Sequence, residues 1–256
     1  AALGEIRSDA AVAAVRAGLA DRHPKGRRAA ARALGRFRTP AAAALLAGVI
    51  RRERSDFVVA EAVRALARTR QPEALAALQR AAKRTSFREV IAGAAMEGLA
   101  ELRDARGLPL AEQGSAYRRP FAVRTAAIQS LGRLWEHADK RADDVRERLE
   151  DLLRDPDHAA RRFAAGALGH VLDDRAAAAL QRHTESEPIG ILRKGSRDAL
   201  RRLRERRGEK GAVGKLSTEI EQLKDENKTL KNRLSALEAR VEGGAGPKGK
   251  AARRRR

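Results

Sequence analysis

The chain repeats one short block of sequence. The block Arg27–Gly35 returns with few changes as Arg161–Gly169. Weaker copies share a leucine at the same place in the block, and these marker leucines recur every 31 to 37 residues. They are Leu3, Leu34, Leu66, Leu99, Leu131, Leu168 and Leu200. Self-similarity at a period of this size indicates stacked structural repeats. The sequence therefore predicts an all-α, right-handed solenoid of helical hairpins over residues 1–207.

Each repeat is predicted to contain two helices. In the first helix, apolar residues lie four and eight positions before the marker leucine, as Ala62 and Val58 do before Leu66. This spacing places them on one helical face. The second helix follows a short turn, which in one unit is Thr39-Pro40, a capping residue followed by proline at the first helical position.

Two irregularities of the repeat predict local features. The single step of 37 residues, between Leu131 and Leu168, predicts an enlarged loop around Trp135. Glycines within predicted helices cost about 1 kcal/mol each relative to alanine. We therefore expect the array to be least stable around residues 93–98 and 160–166.

The repeated block resembles a known family of helical repeats. One copy carries Asp21, Pro24, Arg27, Ala30, Leu34 and Gly35. Another carries Val123, Arg124, Ala126, Ala127, Leu131 and Gly132. These residues match an Asp-x-x-Pro loop followed by x-Val-Arg-x-Ala-Ala-x-x-Ala-Leu-Gly, so the array resembles the short HEAT-like repeats of the phycobilin-lyase type. We expect such an array to be a non-catalytic scaffold with a protein or peptide partner.

Four arginines occur at one position of the repeat. Arg27, Arg124, Arg161 and Arg193 each precede a marker leucine by seven residues. They could form a row that contacts anions or a peptide carboxylate. Alternatively, they could form a structural ladder with loop carboxylates and carbonyls, which bidentate guanidinium geometry favours.

The C-terminal part has a different pattern. Residues 208–215 are rich in glycine and predict a linker that interrupts the helix. Leucines then recur at every seventh position of 216–241, with a second, mostly aliphatic row between them, as in a coiled coil. The two rows are Leu216, Leu223, Leu230 and Leu237, and Ile220, Asn227, Leu234 and Val241. A single asparagine in such a row favours two parallel strands. We therefore predict a homodimer, the alternative being one amphipathic helix docked on the last repeat.

Positive charge is concentrated at the two ends of the chain. The formal net charge is +21, with +10 in residues 1–100 and +10 in residues 201–256. Such a chain could attract nucleic acid, a possibility that we do not favour. A zipper that continues a basic helix would be a DNA-binding module, but the glycines at 208–215 argue against a continuous helix. The basic tail, residues 242–256, is predicted to be disordered.

The sequence contains no recognisable catalytic chemistry. There is no cysteine, no H-E-x-x-H and no G-x-S-x-G motif, so we expect no catalytic residue, metal or cofactor in this chain. The longest uncharged apolar stretch, Thr39–Ile50, has 12 residues, whereas a membrane span needs about 20. The compartment is not fixed, although a cytoplasmic location is favoured. Because the chain starts within a repeat, we expect it to be the C-terminal piece of a larger protein.

Several segments resemble a second family. They are residues 86–91, 95–100, 108–110, 117–120 and 123–128. They are similar to the C-terminal helical region of bacterial zinc aminopeptidases of the aminopeptidase N family. That resemblance implies a role as wall of an active-site chamber, with zinc held by the parent protein and an arginine-lined surface for a peptide carboxylate. No catalytic residue of that family has a counterpart here.

Overall fold

The computed structural model describes residues 9–244, and it describes side chains for 11–209, 211 and 219–232. Twelve α-helices follow one another in this range. They are α1 (Asp9–Ala17), α2 (Pro24–Leu34), α3 (Pro40–Arg52), α4 (Asp56–Thr69), α5 (Ala74–Ala81), α6 (Val90–Leu102), α7 (Leu108–Ser115), α8 (Phe121–Leu134), α9 (Ala142–Leu152), α10 (His158–Leu168), α11 (Asp174–Ser186) and α12 (Gly190–Gly244). No strand occurs among these residues.

The helices alternate between two layers. The first helices of the repeats, α2, α4, α6, α8 and α10, pack against one another in chain order. The second helices, α3, α5, α7, α9 and α11, pack against the first helices. Two layers that bury one shared core are the standard solution for amphipathic helices. The predicted all-α repeat fold is therefore confirmed.

The marker leucines form the centre of the core. The six whose side chains are described are each at most 5% exposed: Leu34, Leu66, Leu99, Leu131, Leu168 and Leu200. The predicted apolar stripe is buried with them, since Ala62 and Val58 are 0% and 1% exposed. Because alanine dominates this stripe, neighbouring first helices can pack closely.

The glycine that follows a marker leucine has a packing function. A Cβ atom on Gly35 would lie 2.8 Å from the Cα atom of Ala65 in the next first helix. A Cβ atom on Gly132 would lie 2.8 Å from the Cα atom of Ala167. The Leu-Gly pair of the repeat therefore lets the end of one first helix touch the backbone of the next.

Local features of the sequence also appear in the structure. The Thr39 side chain accepts a hydrogen bond from the Ala42 backbone N–H at 3.3 Å, and Pro40 is the first residue of α3. The long step of the repeat is accommodated by two single 3-10 turns, Trp135–His137 and Asp139–Arg141. The predicted cap and the predicted enlarged loop are both present.

The C-terminal helix differs from our expectation at one place. The chain divides into two compact units after Arg204, and α12 is helical throughout, including residues 208–215. The glycines there do not end the helix, because an interior glycine costs about 1 kcal/mol and does not forbid helix. Strong helix formers, Glu209 and Lys210, separate two of them. A domain boundary at 208–215 stays a prediction, but it is not an interruption of the helix.

Several expectations fall at the ends of the chain. Leu3 and residues 245–256 lie outside the described residues, while residues 242–244 of the basic tail are helical. Within residues 9–244, no helix has the length and hydrophobicity to cross a membrane.

Two glycines of adjacent first helices provide a matched test of the packing. Gly132→Ala should lower the free energy of unfolding by about 1–3 kcal/mol, because the new methyl group overlaps the α10 backbone. Gly166→Ala should raise it by up to about 1 kcal/mol, because a Cβ atom there would meet nothing within 4 Å. Urea unfolding of both variants measures the difference. Equal effects would contradict close packing at the Leu-Gly pair.

Candidate binding surfaces

Two of the four predicted arginines hold equivalent carboxylates. Arg27 donates from Nε and Nη2 to Glu53 at 2.7 and 3.0 Å. Arg161 donates in the same way to Glu187 at 2.9 and 3.4 Å. From Nη1, each arginine also donates to a backbone carbonyl of the loop before its own helix, at 2.9 and 2.8 Å. Each carboxylate lies 26 residues after its arginine and begins the next unit.

The third arginine makes the most deeply buried contacts of the row. Arg124 is 4% exposed and donates to Asp155 at 2.5 and 3.1 Å and to Asp157 at 3.1 Å. Burial opposes its charge, but the two carboxylates outweigh burial and raise the pKa of Arg124. Arg193, in contrast, is exposed and precedes no further unit of the array. The structure thus places Arg27, Arg124 and Arg161 in the structural ladder, while anion binding by Arg193 stays a prediction.

A second buried carboxylate joins two first helices. Glu61 of α4 is 3% exposed and accepts hydrogen bonds from Arg32 of α2 at 3.1 and 3.0 Å. Arg68 contacts the same carboxylate at 3.2 Å. Burial would raise the pKa of Glu61, but the two guanidinium groups outweigh burial and lower it. Arg32 and Arg68 therefore form ion pairs within the fold.

A buried serine and histidine extend the ladder at Glu187. His183 Nδ1 lies 2.8 Å from Ser196 Oγ, and its Nε2 lies 3.3 Å from Glu187 Oε2, with an angle too poor for a hydrogen bond. Burial lowers the pKa of His183. Serine, histidine and glutamate are also the residue types of a hydrolytic triad. Ser196, however, is 0% exposed and bonds to the Leu192 carbonyl at 3.2 Å, so no substrate can reach it. The group is structural.

An open groove runs across the exposed side of the last first helices. It lies over α8, α10 and the start of α12 and encloses about 380 Å³. We call it the first-helix groove and define it by Arg133, Arg162, Phe163, Gly166, Gly195 and Arg202. A smaller groove over α4, α6 and α8 shares Arg133 and adds Arg64.

The first-helix groove is basic and locally wide. Arg133 reaches Glu101 only at 3.8 Å, and Arg162 lies 5.8 Å over the Phe163 ring. Asp198, at the edge of the groove, is bound by Arg201 at 3.0 Å. Gly166 and Gly195 have open space where a Cβ atom would be, so close helix packing does not require glycine at either position. They leave the helix backbone accessible from the groove.

A further arginine row was missed in the sequence. Arg38, Arg70 and Arg103 each follow a marker leucine by four residues and are exposed. Arg70 and Arg103 end α4 and α6 with φ of 55° and 57°, a left-handed conformation that favours glycine. Partial burial and the nearby charges of Arg103 and Arg38 lower the pKa of Arg70. The repeat period could have revealed the row, but not the proximity of its charges.

The predicted heptad has an uncovered apolar face. Ile220, Leu223 and Leu230 are 51%, 63% and 63% exposed, and Asn227 is exposed between them. The side chains of the other heptad residues lie outside those that the structure describes; they are Leu216, Leu234, Leu237 and Val241. The described apolar residues of this helix thus have the spacing of a coiled coil and no covering partner.

Comparison with protein families identifies the repeat. The family model of HEAT repeats matches residues 1–67 and 118–201, more than half of the chain. The chain belongs to the HEAT-repeat family. The model of the PBS lyase HEAT-like repeat matches residues 58–84. Neither model is that of an aminopeptidase, so the resemblance to the aminopeptidase N family stays a prediction. A search of curated proteins found no match.

One solved structure supports the repeat fold. The complex of CpcE and CpcF of phycocyanin lyase from a Nostoc species includes a chain with 20% identity and a TM-score of 0.52. That match covers 63% of this chain and 99% of the other. Human deoxyhypusine hydroxylase has 18% identity, covers 80% and 88%, and has a TM-score of 0.39. A designed armadillo repeat protein for modular peptide recognition has 16% identity, covers 74% and 98%, and has a TM-score of 0.44. At 20% identity, the first match indicates a shared fold and says nothing about a shared function.

The ladder predicts unequal effects of one conservative substitution. Arg161→Lys should lower the free energy of unfolding by about 1–3 kcal/mol, because lysine cannot replace the bidentate contact with buried Glu187. Arg193→Lys, at the same repeat position but exposed, should leave stability unchanged. Thermal or urea unfolding of the two variants measures this difference. A loss as large for Arg193→Lys as for Arg161→Lys would refute the ladder.

Proposed function

We propose that this HEAT-repeat protein is a non-catalytic scaffold that binds an acidic segment of a protein partner in the first-helix groove. We further propose that it self-associates through residues 216–241. The observation that carries the first proposal is the groove itself, which combines unpaired guanidinium groups, an aromatic ring and two open glycines.

The charges of the groove favour an acidic ligand. Within the described residues, the structure pairs neither Arg162 nor Arg202 with a carboxylate. In the ladder, by contrast, Arg27 and Arg161 are each paired with a carboxylate of the protein itself. Arginine that faces a groove without such a partner is suited to a carboxylate from another molecule. The exposed row of Arg38, Arg70 and Arg103 adds positive charge elsewhere on the array.

The repeat spacing favours an extended peptide. Packed helices lie about 8–10 Å apart, so successive first helices present side chains at about that interval. An extended peptide in the polyproline II conformation advances about 3.1 Å per residue with three residues per turn, so every third side chain lies on the same side. Acidic residues at every third position would therefore meet arginines on successive helices. The ring of Phe163 offers an apolar contact between them.

A labelled peptide tests the groove directly. A fluorescein-labelled peptide of Glu-Ser-Ala repeats should bind the full chain in fluorescence anisotropy, and a peptide of Gln-Ser-Ala repeats should bind much more weakly. Arg162→Ser and Arg202→Ser should each weaken binding about fivefold, equivalent to ~1 kcal/mol. Arg182→Ser is the matched control, because Arg182 is an exposed arginine of α11, in the other layer.

Two results would contradict this function. Equal weakening by Arg182→Ser would show that the net charge of the protein, and not the groove, attracts the peptide. Tighter binding of a single-stranded oligonucleotide, with a steep loss of affinity as salt rises, would favour a nucleic-acid-binding repeat protein. A zipper-type DNA complex is disfavoured because Leu200 and Leu203, beside the basic residues of α12, are 5% and 0% exposed.

The proposed self-association rests on the uncovered heptad face. Leaving Ile220, Leu223 and Leu230 in water is unfavourable, and pairing with a second copy would bury them. In a parallel pair, Glu219 would face Lys224 of the partner and Glu226 would face Lys231. Both contacts are attractive, which fits a parallel homodimer.

The mass of the full chain in solution tests the homodimer. At micromolar concentration, light scattering should give twice the chain mass of 27.8 kDa. Leu223→Ser should shift the protein to monomer, and Asn227→Leu should allow more than one oligomeric state because it removes the polar residue that specifies pairing. Glu221→Gln, outside the two heptad rows, should leave the dimer intact. A monomeric wild-type chain at that concentration would refute the proposal.

A further inference from the structure

Exposed aromatic residues are concentrated in one part of this protein. The chain has only five phenylalanines, one tyrosine and one tryptophan. Four of these seven are more than half exposed: Phe57 (51%), Phe87 (62%), Tyr117 (60%) and Phe121 (67%). Large exposed apolar groups that lie together usually mark an interaction surface. We call these four residues the aromatic edge.

The aromatic edge lies along three successive loops and the first turns of the helices that follow two of them. Each loop joins the second helix of one unit to the first helix of the next, so all three lie on the same side of the array. The Phe57 and Phe87 rings are 6.3 Å apart, and the Phe87 backbone N–H donates to Asp56 Oδ2 at 2.8 Å. Phe121 lies 6.5 Å from Phe163. The first two loops therefore contact one another, the turn at Phe87 also packs against α8, and Phe121 at the start of α8 meets helix α10.

Basic side chains accompany these rings. Residues 51–57, 83–89 and 117–121 contain eight basic and three acidic side chains. Of the acidic ones, Glu53 is held by Arg27 and Asp56 by the Phe87 backbone. Arg51, Arg52, Arg88, Arg118 and Arg119 are exposed, and the described structure pairs none of them with a carboxylate. Exposed rings thus alternate with available cations.

The repeat fold does not require this composition. The equivalent loops on either side of the three hold Asp21, and Asp155 with Asp157. Two of these aspartates bind Arg124, and neither loop carries an exposed large aromatic residue. The three middle loops carry exposed rings and additional cations, and the first of them also supplies Glu53 to the ladder. Each ring is more than half exposed, so burial in the core does not account for these aromatic residues.

We propose that the aromatic edge attaches this protein peripherally to an anionic lipid bilayer. Exposed rings can enter the headgroup region, and arginines beside them attract anionic lipids. The surface differs from the groove of the proposed function. Phe121 lies 6.5 Å from Phe163 of that groove, so Phe87→Ser is the variant that tests the edge separately. The chemistry of the rings favours lipid over nucleic acid. Three of the four rings are phenylalanines, which carry no polar group and suit the boundary between headgroups and acyl chains.

Sedimentation of the full chain with vesicles tests the proposal. One set of vesicles contains phosphatidylcholine alone, and the other contains phosphatidylcholine mixed with phosphatidylserine. Because the chain carries a net charge of +21, binding to anionic vesicles is not sufficient evidence. The decisive variants are Phe87→Ser and Phe121→Ser, which leave the charge unchanged. Ile191→Ser is the matched control, because Ile191 is 69% exposed on α12, outside the aromatic edge.

We expect binding to the mixed vesicles and little binding to phosphatidylcholine alone. Phe87→Ser and Phe121→Ser should each weaken the partition about tenfold, equivalent to ~1.4 kcal/mol, while Ile191→Ser should not change it. Phe121→Trp should show a blue shift of fluorescence on the mixed vesicles. The native Trp135, which packs against the core, supplies the background measured in the wild-type chain.

Three results would overturn the proposal. The wild-type chain could fail to bind the mixed vesicles. The two serine variants could bind them as the wild type does, which would assign binding to general positive charge. The serine variants could lose affinity for a single-stranded oligonucleotide while keeping vesicle binding, which would make the edge a nucleic-acid surface. Circular dichroism and the unfolding midpoint of each variant confirm that it is folded before the comparison is made.

Discussion

Close approach of successive first helices is the constraint on which the array depends. Alanine stripes and the glycine after each of two marker leucines let one helix end touch the backbone of the next, as Gly132 does with Ala167. A core made of such small residues buries little apolar surface per residue, so its stability comes from the number of close contacts. A methyl group added at this junction would therefore overlap the neighbouring backbone and force a local shift.

The ion pairs between units complement this packing. Alanine surfaces are smooth and specify the relative position of two helices poorly, whereas a bidentate arginine–carboxylate contact has one preferred geometry. Arg27 with Glu53 and Arg161 with Glu187 join equivalent positions of different units at an identical separation in sequence. Because removing one partner would leave a buried charge, these pairs also make errors of register costly.

The repeat made much of the fold predictable, and contacts between distant residues limited the rest. Marker leucines, the Thr39 cap and the loop near Trp135 follow from local pattern, and all are present. The helix through residues 208–215 was not foreseen, because the cost of a few glycines was weighed without the helix-forming residues between them. The network of His183, Ser196 and Glu187 has no local pattern, since His183 and Ser196 lie 13 residues apart on different helices.

Pairing with carboxylates separates the structural arginines of this protein from those available to ligands. Sequence position alone did not separate them, because Arg161 and Arg193 share one place in the repeat and only Arg161 meets a carboxylate of the next unit. The same criterion applies to whole loops. The loop before α10 supplies Asp155 and Asp157, which both pair with Arg124 of the fold. The loops at Phe57, Phe87 and Tyr117 supply exposed arginines beside exposed rings, and because the described structure pairs Arg51, Arg88 and Arg118 with no carboxylate, these cations are available to a binding partner.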